Sequence, residues 1–290
     1  MFLLGFGCVA YDRGLSPDFK NFCGPCVVRR GDQHHRCVSQ DLDSQPPAHE
    51  IWAGAIGTEN VWFAYAGGTS APFGDLNKAG IRLRAQAGHG EYKFEGWKVS
   101  RDADGFFLVD RVTIEDRVNT VDAMLGYMFQ LGALTAKGFA GLAYVEHDVS
   151  AASFIPPGNG VEWGPRVQIE LWYDAGGPYW ASVNASYTTA HDSYGANVRG
   201  GFRLGQSGIS IGTEVSIDNR TAEGTDLTSA YARGGAFVRY AWDTGEISVS
   251  GGLAVDLDDG NPLELQPNAS GMYAERLEAP YAGFSLLTKF

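Results

Sequence analysis

The sequence predicts an all-β fold, a transmembrane antiparallel β-barrel of about 12 strands. Apolar and polar residues alternate through most of residues 194–257, short glycine-rich turns alternate with longer loops, and the chain ends on an aromatic residue, Phe290. A period of two gives each strand one apolar and one polar face. In a membrane barrel the apolar face contacts lipid and the polar face lines the lumen.

A soluble β-sandwich would show the same alternation, so the kind of apolar residue matters. The inner face of a sandwich usually carries large Leu, Ile and Val side chains. Here many apolar positions are Ala, Gly or aromatic, and the chain has 39 Gly in 290 residues, above the usual share of roughly 7%. The sequence contains no run of about 18 apolar residues, so no transmembrane helix is predicted. The composition therefore favours the barrel.

The charge balance bears on the partners of the protein. The net charge is −12, and the first 49 residues are neutral, so the excess negative charge lies in residues 50–290. Nucleic acid binding needs basic patches. We therefore predict no nucleic acid partner, and water-facing loops and lumen account for the charge.

The N-terminal residues differ from the rest of the chain. Residues 1–49 lack strand alternation and end in Gln45-Pro46-Pro47, which predicts a poorly ordered leader. Residues 50–290 are predicted to form the barrel.

All four cysteines lie in this leader, and they allow two functional interpretations. Cys23-Gly24-Pro25-Cys26 has the sequence pattern of a thioredoxin-like redox site. Alternatively, both cysteines could bind zinc together with His34, His35 and Cys37. The redox chemistry needs a βαβ unit around the motif, and a zinc site needs a fold to position its ligands. Neither is predicted here, so we expect no metal and no cofactor.

Turn residues divide the barrel region into twelve predicted strands, an even number as in bacterial single-chain barrels. In order they are 50–56, 60–70, 80–92, 116–129, 133–147, 163–174, 178–188, 194–204, 208–217, 229–241, 245–257 and 271–290. Alternation is clear on several of them: Ile81 and Leu83 against Arg82 and Arg84; Val167, Ile169, Leu171 and Tyr173 against Gln168 and Glu170; Ile209, Ile211 and Val215 against Ser210 and Glu214; Val249, Leu253 and Val255 against Ser250 and Ala254.

Connection lengths support the same count. Short turns are expected near residues 131–132, 176–177, 205–208 and 243–245, and long loops at 93–115, 148–162, 188–193, 218–228 and 258–270. Outer-membrane barrels have short periplasmic turns and longer outer loops. This alternation of short and long connections places both termini in the periplasm. The connection 71–79 is the exception, because it should be short and is not.

Polar residues predicted to face the lumen are the candidate site. They are Arg82, Arg84, Arg166, Glu170, Arg199, Arg203, Glu214, Arg233 and Arg239. One interpretation is a ladder of paired charges that satisfies buried groups and stiffens the wall. The other is a polar track for a hydrated solute. A hydrated lumen would tolerate a charge at Ala254, whereas lipid would not tolerate one at Leu253.

Aromatic residues near the strand ends are expected to form interface girdles, and a minority could instead stack on sugar rings. They are Trp52, Trp62, Trp163, Trp180, Trp242, Tyr179, Tyr240 and Tyr281.

Signals of catalysis are weak. His147 and His191 lie near loops, and no Walker, Rossmann or EF-hand pattern is found. We therefore predict that the protein is not an enzyme.

Several segments together resemble the cellulose biosynthesis protein BcsS family. They are Glu50-Ile-Trp-Ala-Gly, Phe63-Ala-Tyr-Ala-Gly-Gly, Ala71-Pro-Phe-Gly-Asp-Leu-Asn-Lys-Ala-Gly-Ile-Arg-Leu-Arg84, Gly88-His-Gly-Glu-Tyr92, Asp122-Ala-Met-Leu-Gly-Tyr127 and Glu170-Leu-Trp172. The resemblance covers about residues 50–290. It implies an accessory barrel of the bacterial outer membrane that assists export or anchoring of cellulose. The implied partners are outer-membrane lipid, cellulose and the cellulose synthase machinery. The family carries over no catalytic residues. The main alternative function is a general solute porin, and a barrel enzyme acting on lipid or polysaccharide is the third.

Overall fold

The computed structural model describes residues 46–101, 106–150, 159–221, 228–256 and 278–290. Within these residues twelve antiparallel strands form a closed barrel, in which sequence neighbours pair and β1 pairs with β12. The strands are β1 (His49–Gly57), β2 (Val61–Ser70), β3 (Gly80–Arg101), β4 (Phe107–Leu131), β5 (Leu134–Ser150), β6 (Gly160–Asp174), β7 (Tyr179–Thr188), β8 (Ser193–Arg203), β9 (Ile209–Thr221), β10 (Thr228–Trp242), β11 (Gly245–Asp256) and β12 (Glu278–Lys289). The predicted fold is confirmed. Residues 1–45 of the predicted leader, with all four cysteines, lie outside the described residues.

The two faces of the wall differ in polarity, as the alternation predicts. On β3, Ile81 and Leu83 face outward and are exposed, whereas Arg82 and Arg84 are buried, with only 2% and 8% of their surface exposed. On β11, the outward-facing Leu253 is 57% exposed and its inward-facing neighbour Ala254 is 0% exposed. Apolar side chains outside and polar side chains inside are the arrangement of a membrane barrel.

The ends of the barrel are assigned from their connections. Both described chain ends and the connections 71–79, 132–133, 175–178, 204–208 and 243–244 lie at one end. Short turns mark the periplasmic end of outer-membrane barrels, so this end is called the periplasmic end and the opposite one the outer end.

The loop predicted at 93–115 is wrong in extent. Strands β3 and β4 stay paired as far as Arg101 and Phe107, which lie opposite each other, and only residues 102–106 connect them. The sequence predicts strand ends at Tyr92 and Asp116, yet the outward-facing residues just beyond them, Lys93 and Glu115, also lie opposite each other. Backbone pairing continues there because outward charges are compatible with a strand that faces water. Of the other predicted loops, 258–270 lies outside the described residues, as do parts of 148–162 and 218–228.

Arg82 explains the long periplasmic connection 71–79. Its Nη2 donates to the backbone oxygens of Asp75 (3.3 Å), Leu76 (3.1 Å) and Lys78. The side chain of Leu76 is buried. A guanidinium can bind several carbonyls at once because its donors form a rigid fork. The segment is therefore held against the barrel rather than being a loose loop.

A single 3₁₀ turn, Ala190–Asp192, connects β7 and β8. The Ala190 N–H donates to Thr188 Oγ1 (3.2 Å), and Ser193 Oγ donates to the Ala190 oxygen (2.9 Å). Among the residues that the structure describes, no helix is both long and apolar enough to cross a membrane.

Candidate functional site

The candidate site is the inside of the barrel, where side chains meet between strands that are not neighbours. Arg84 on β3 forms an ion pair with Glu170 on β6. Lys137 on β5 contacts Glu50 on β1 (Nζ–Oε1 3.4 Å) and Glu170 (Nζ–Oε2 3.3 Å). These contacts link β1, β3, β5 and β6 through the lumen.

A second group of polar contacts lies beside this one. Arg166 contacts Asp122 (Nη1–Oδ2 3.4 Å), and Gln86 Nε2 donates to the same Asp122 oxygen (2.8 Å). Gln168 Nε2 donates to Glu170 Oε1 (3.0 Å) and to Asn184 Oδ1 (3.2 Å). Asp122 therefore has a cation and an amide as partners, and Glu170 has two cations and an amide.

The C-terminal half of the barrel has its own cross-lumen contacts. Arg199 on β8 pairs with Glu214 on β9 (Nε–Oε2 3.2 Å) and donates to Ser248 Oγ on β11 (2.6 Å). The Tyr281 hydroxyl on β12 donates to Glu214 Oε1 (3.0 Å). Strands β8, β9, β11 and β12 are thus joined through the interior.

Three further arginines pair with acidic residues on strands β6, β9 and β11. Arg203 binds Asp174 (Nη1–Oδ1 3.1 Å), and Arg239 binds Glu246 (Nε–Oε2 2.9 Å). Those two pairs lie toward the periplasmic end, where their strands turn. Arg233 binds Asp218 (Nη2–Oδ2 2.6 Å), closer to the outer end of β9.

Aromatic rings fill the space between the ion pairs. Trp172 and Trp180 stack with ring centroids 4.6 Å apart, and Trp180 also contacts Phe237 on β10 at 5.5 Å. The Arg199 guanidinium lies 4.1 Å from the centre of the Phe237 ring, and that of Arg84 lies 4.2 Å from the Trp52 ring. Such cation–π contacts are favourable, more so when they are desolvated.

The girdle assignment was wrong for Trp52, Trp180 and Tyr281, which face inward. Trp180 is 3% exposed and Tyr281 4% exposed. Their position near strand ends predicts an interface, but strand parity turns their side chains inward. Trp62, Trp163, Tyr179, Tyr240 and Trp242 are exposed on the outer wall.

Seven of the described inward aromatic rings lie opposite a glycine on a neighbouring strand. The pairs are Trp52–Gly67, Tyr65–Gly54, Phe63–Gly90, Phe139–Gly126, Trp180–Gly201, Phe237–Gly212 and Tyr281–Gly252. A Cβ atom on Gly201 would lie 2.4 Å from the Trp180 ring, too close for any real contact. The high glycine content therefore makes room for rings that lie along the inner wall.

All nine predicted lumen residues have charged or backbone partners inside the barrel or at its periplasmic end. Arg82 binds the connection 71–79, and the other eight take part in the ion pairs described above. Two of these ion pairs, Arg84–Glu170 and Arg199–Glu214, join members of the nine to each other. The remaining partners are not among the residues predicted from the sequence; they are Glu50, Asp122, Lys137, Asp174, Asp218 and Glu246. Strand parity places these six inward too, but no sequence pattern shows which charges meet across a lumen.

This arrangement favours the ladder of paired charges over the polar track. A track for a hydrated solute needs charges that face water, whereas buried ions are stable only when paired and hydrogen-bonded. Within the described residues, no group of three or more His, Cys, Asp or Glu side chains is arranged to hold a metal ion.

The two histidines considered for catalysis are buried at the outer end. His147 Nδ1 lies 3.0 Å from Asp116 Oδ2, and His191 Nδ1 lies 3.5 Å from Glu162 Oε1. The two imidazoles meet edge to face at 4.7 Å. His191 is in the left-handed region, with φ 52°. These contacts fix the rings and assign them no reaction.

Solved structures with similar chain paths have low sequence identity to this chain. The translocator domain of autotransporter NalP from Neisseria meningitidis is 10% identical, with a TM-score of 0.41, and 87% of this chain and 92% of that chain are covered. OmpT from Vibrio cholerae is 9% identical, with a TM-score of 0.36 and coverage of 83% and 96%. OccK3 from Pseudomonas aeruginosa is 7% identical, with a TM-score of 0.34 and coverage of 86% and 96%. At these scores the likenesses do not bear on what the barrel does.

Family comparison is more specific. No curated protein matches the chain. Residues 51–289 match the family described as cellulose biosynthesis protein BcsS. The match covers every strand of the barrel almost end to end. The chain therefore belongs to the cellulose biosynthesis protein BcsS family.

Proposed function

We propose that this protein is a non-enzymatic accessory barrel of the bacterial outer membrane that assists the export or anchoring of cellulose without conducting the polymer through its own lumen. The observation that carries the proposal is the set of cross-lumen contacts, above all Arg84–Glu170 and Lys137–Glu50. Family membership supports the link to cellulose.

The outer wall supports a place in the outer membrane. Leu125 on β4, Val167 on β6, Val215 on β9 and Val249 on β11 all point outward and are at least half exposed. Apolar side chains around a whole closed wall would be unfavourable in water, whereas they are the normal lipid-facing surface of a transmembrane barrel.

The filled interior supports a role outside the lumen. A polysaccharide chain passing through would have to separate Arg84 from Glu170 and Tyr281 from Glu214. Breaking a buried ion pair costs several kcal/mol because each charge is left uncompensated. Contacts of the outer surfaces with cellulose and with the synthase machinery are therefore the proposed mode of action. The same contacts count against the alternative of a general porin, whose lumen holds water.

The experiment compares a cellulose-producing strain with a deletion of this gene and the same deletion complemented by the wild-type gene. Total cellulose, cellulose attached to washed cells and pellicle formation are measured in each. We expect the deletion to lower attached or exported cellulose and the complemented strain to recover it. Unchanged cellulose and pellicle in the deletion strain would overturn the proposal.

Localisation is tested in the same strains. The protein should fractionate with the outer membrane, and the folded form should migrate differently on a gel before and after boiling. Recovery of the protein in the soluble fraction would contradict the membrane assignment.

A further inference from the structure

The outer wall carries a row of aromatic and polar side chains across strands β2 to β6, called the outer ridge. It consists of Trp62, His89, Asn119, Tyr144, Glu146 and Trp163. These residues lie on the outward face near the outer end, and the interior contacts described above do not involve them. Trp163 is 71% exposed, and Trp62 is 41% exposed.

Direct contacts connect the ridge from one strand to the next. The Trp62 ring meets the His89 ring edge-on at 5.3 Å. His89 Nδ1 donates to Asn119 Oδ1 (2.7 Å), and Asn119 Nδ2 donates to Glu146 Oε2 (3.2 Å). On the neighbouring pair of strands, Tyr144 meets Trp163 edge-on at 5.0 Å.

The register makes these contacts a line across the wall. His89 lies opposite Asn119, Asn119 lies opposite Glu146, and Tyr144 lies opposite Trp163. Trp62 lies opposite Glu91, two residues from His89, and Tyr144 lies two residues from Glu146, so the line runs obliquely over the strands. Strands are about 4.8 Å apart, so the four steps from β2 to β6 cover roughly 19 Å across the strand direction. Indole rings stand at both ends of this line, and polar groups stand between them.

The ridge lies where the lipid-facing surface ends. On its periplasmic side the next outward residues of β4 and β5 are the exposed Val121 and Leu142. On its other side Lys93 contacts Glu91 (3.1 Å) and Glu115 (3.4 Å). Charges on the lipid face of a barrel are destabilising in the bilayer and tolerated near its surface. The ridge is therefore at the outer boundary of the membrane.

The charge around the ridge distinguishes between two kinds of ligand at that boundary. Carboxylates there outnumber the cations. The carboxylates are Glu91, Glu115, Glu146 and Asp148, and the cations are Lys93 and Arg117. Phosphate groups of lipid headgroups would be repelled by this balance. A neutral sugar chain carries no charge, and it offers apolar ring faces for the indoles and hydroxyls for the amide, imidazole and carboxylate.

We propose that the outer ridge binds a neutral β-linked glucan chain, the chemical class of cellulose, along the outside of the barrel. This inference rests on the proposed function and specifies its contact surface. Trp62 and Trp163 supply stacking surfaces at the two ends. His89, Asn119 and Glu146 supply donors and acceptors for hydroxyls between them.

The test uses the full-length protein, purified and folded in detergent, and measures binding to a soluble cello-oligosaccharide and to regenerated cellulose. Wild type should bind both. Trp163→Ala should bind the oligosaccharide about tenfold more weakly, since losing one good stacking contact has an effect of that order. Trp62→Ala should weaken binding to a similar degree. The matched control is Trp242→Ala, which removes an exposed indole at the periplasmic end and should bind as wild type does.

Heat-modifiable gel migration shows whether each variant is folded. Wild type that binds no cello-oligosaccharide, or folded ridge variants that bind as tightly as wild type, would overturn the inference. Equal weakening by Trp242→Ala would also overturn it. Preferential binding of vesicles rich in lipopolysaccharide, abolished by the same ridge substitutions, would assign the ridge to lipid headgroups instead.

A cellular comparison separates this inference from the proposed function. Complementing the deletion strain with Trp163→Ala should restore the protein to the outer membrane but leave less cellulose on washed cells. If wild type restores attachment and the ridge variants restore it equally, the proposed function stands and the inference that the outer ridge binds glucan is wrong. If wild type itself has no effect on cellulose, the proposed function fails whatever the binding assay gives.

Discussion

Arg84 on β3 and Glu170 on β6 meet in the middle of the barrel, although two strands separate them along the wall. Glu170 also contacts Lys137, which in turn reaches Glu50 on β1. One carboxylate therefore neutralises two cations from different strands. Because the group is largely shielded from water, its charges depend on each other more than surface charges would.

Glu170→Gln should destabilise the barrel strongly. The substitution leaves Arg84 without its anion and Lys137 with only Glu50, and removing one partner of a buried pair costs about 3–5 kcal/mol. Unfolding of the detergent-folded protein by urea measures the change in free energy. The double variant Arg84→Gln/Glu170→Gln should lose less than the sum of the two single variants. Strict additivity of the single costs would show that the pair does not interact.

Adjacent glycines on β8 should respond in opposite ways to alanine. A Cβ atom on Gly201 would lie 2.4 Å from the Trp180 ring, whereas one on Gly200 would meet nothing within 4 Å. Gly201→Ala forces an overpacked contact, which costs about 1–3 kcal/mol. Gly200→Ala should be neutral or stabilising by up to about 1 kcal/mol, because it restricts the unfolded chain. Both are measured by urea unfolding, and equal effects would contradict the assigned faces.

The filled lumen predicts low ion conductance. Wild type in planar bilayers should give no steady open current of the porin kind. Trp180→Ala/Phe237→Ala removes two rings that touch across the lumen at 5.5 Å, and the double variant should conduct measurably more than wild type. Val238→Ala, an outward-facing neighbour, is the control and should leave the current unchanged. A large steady current through wild type would favour the porin alternative.

Much of this fold follows from local sequence, because the faces of a strand repeat with a period of two. Parity alone puts Arg84 and Glu170 inside, and turn residues place most strand ends within a few positions, but not the outer ends of β3 and β4. Parity does not show that Arg84 meets Glu170 rather than a charge on an adjacent strand, since that depends on barrel closure. The Trp180 ring is a related case. Its position near a strand end predicts an interface, whereas its inward contact with Gly201 follows only from the register.

Arg82→Lys should loosen the connection 71–79. A single ammonium cannot reproduce the contacts of the guanidinium with the backbone oxygens of Asp75, Leu76 and Lys78. Limited digestion with trypsin, read by mass spectrometry, should show faster cleavage after Lys78 in the variant. Arg117→Lys, at an exposed site on the outer wall, is the control. Unchanged cleavage in Arg82→Lys would mean that the connection is held by other contacts.

Positions 253 and 254 on β11 test the two faces together. Leu253 is 57% exposed toward lipid, and Leu253→Arg should impair folding, by an amount approaching about 2–4 kcal/mol at the bilayer midplane and less toward its surface. From the sequence alone, Ala254→Arg would be tolerated in a hydrated lumen. Ala254 is instead 0% exposed and lies opposite Arg233, so an arginine there has no space and meets a like charge. We therefore expect Ala254→Arg to lower the folded fraction as well, while Leu253→Ala stays close to wild type in heat-modifiable migration. Full tolerance of Ala254→Arg would mean that the interior at this level holds water rather than packed side chains.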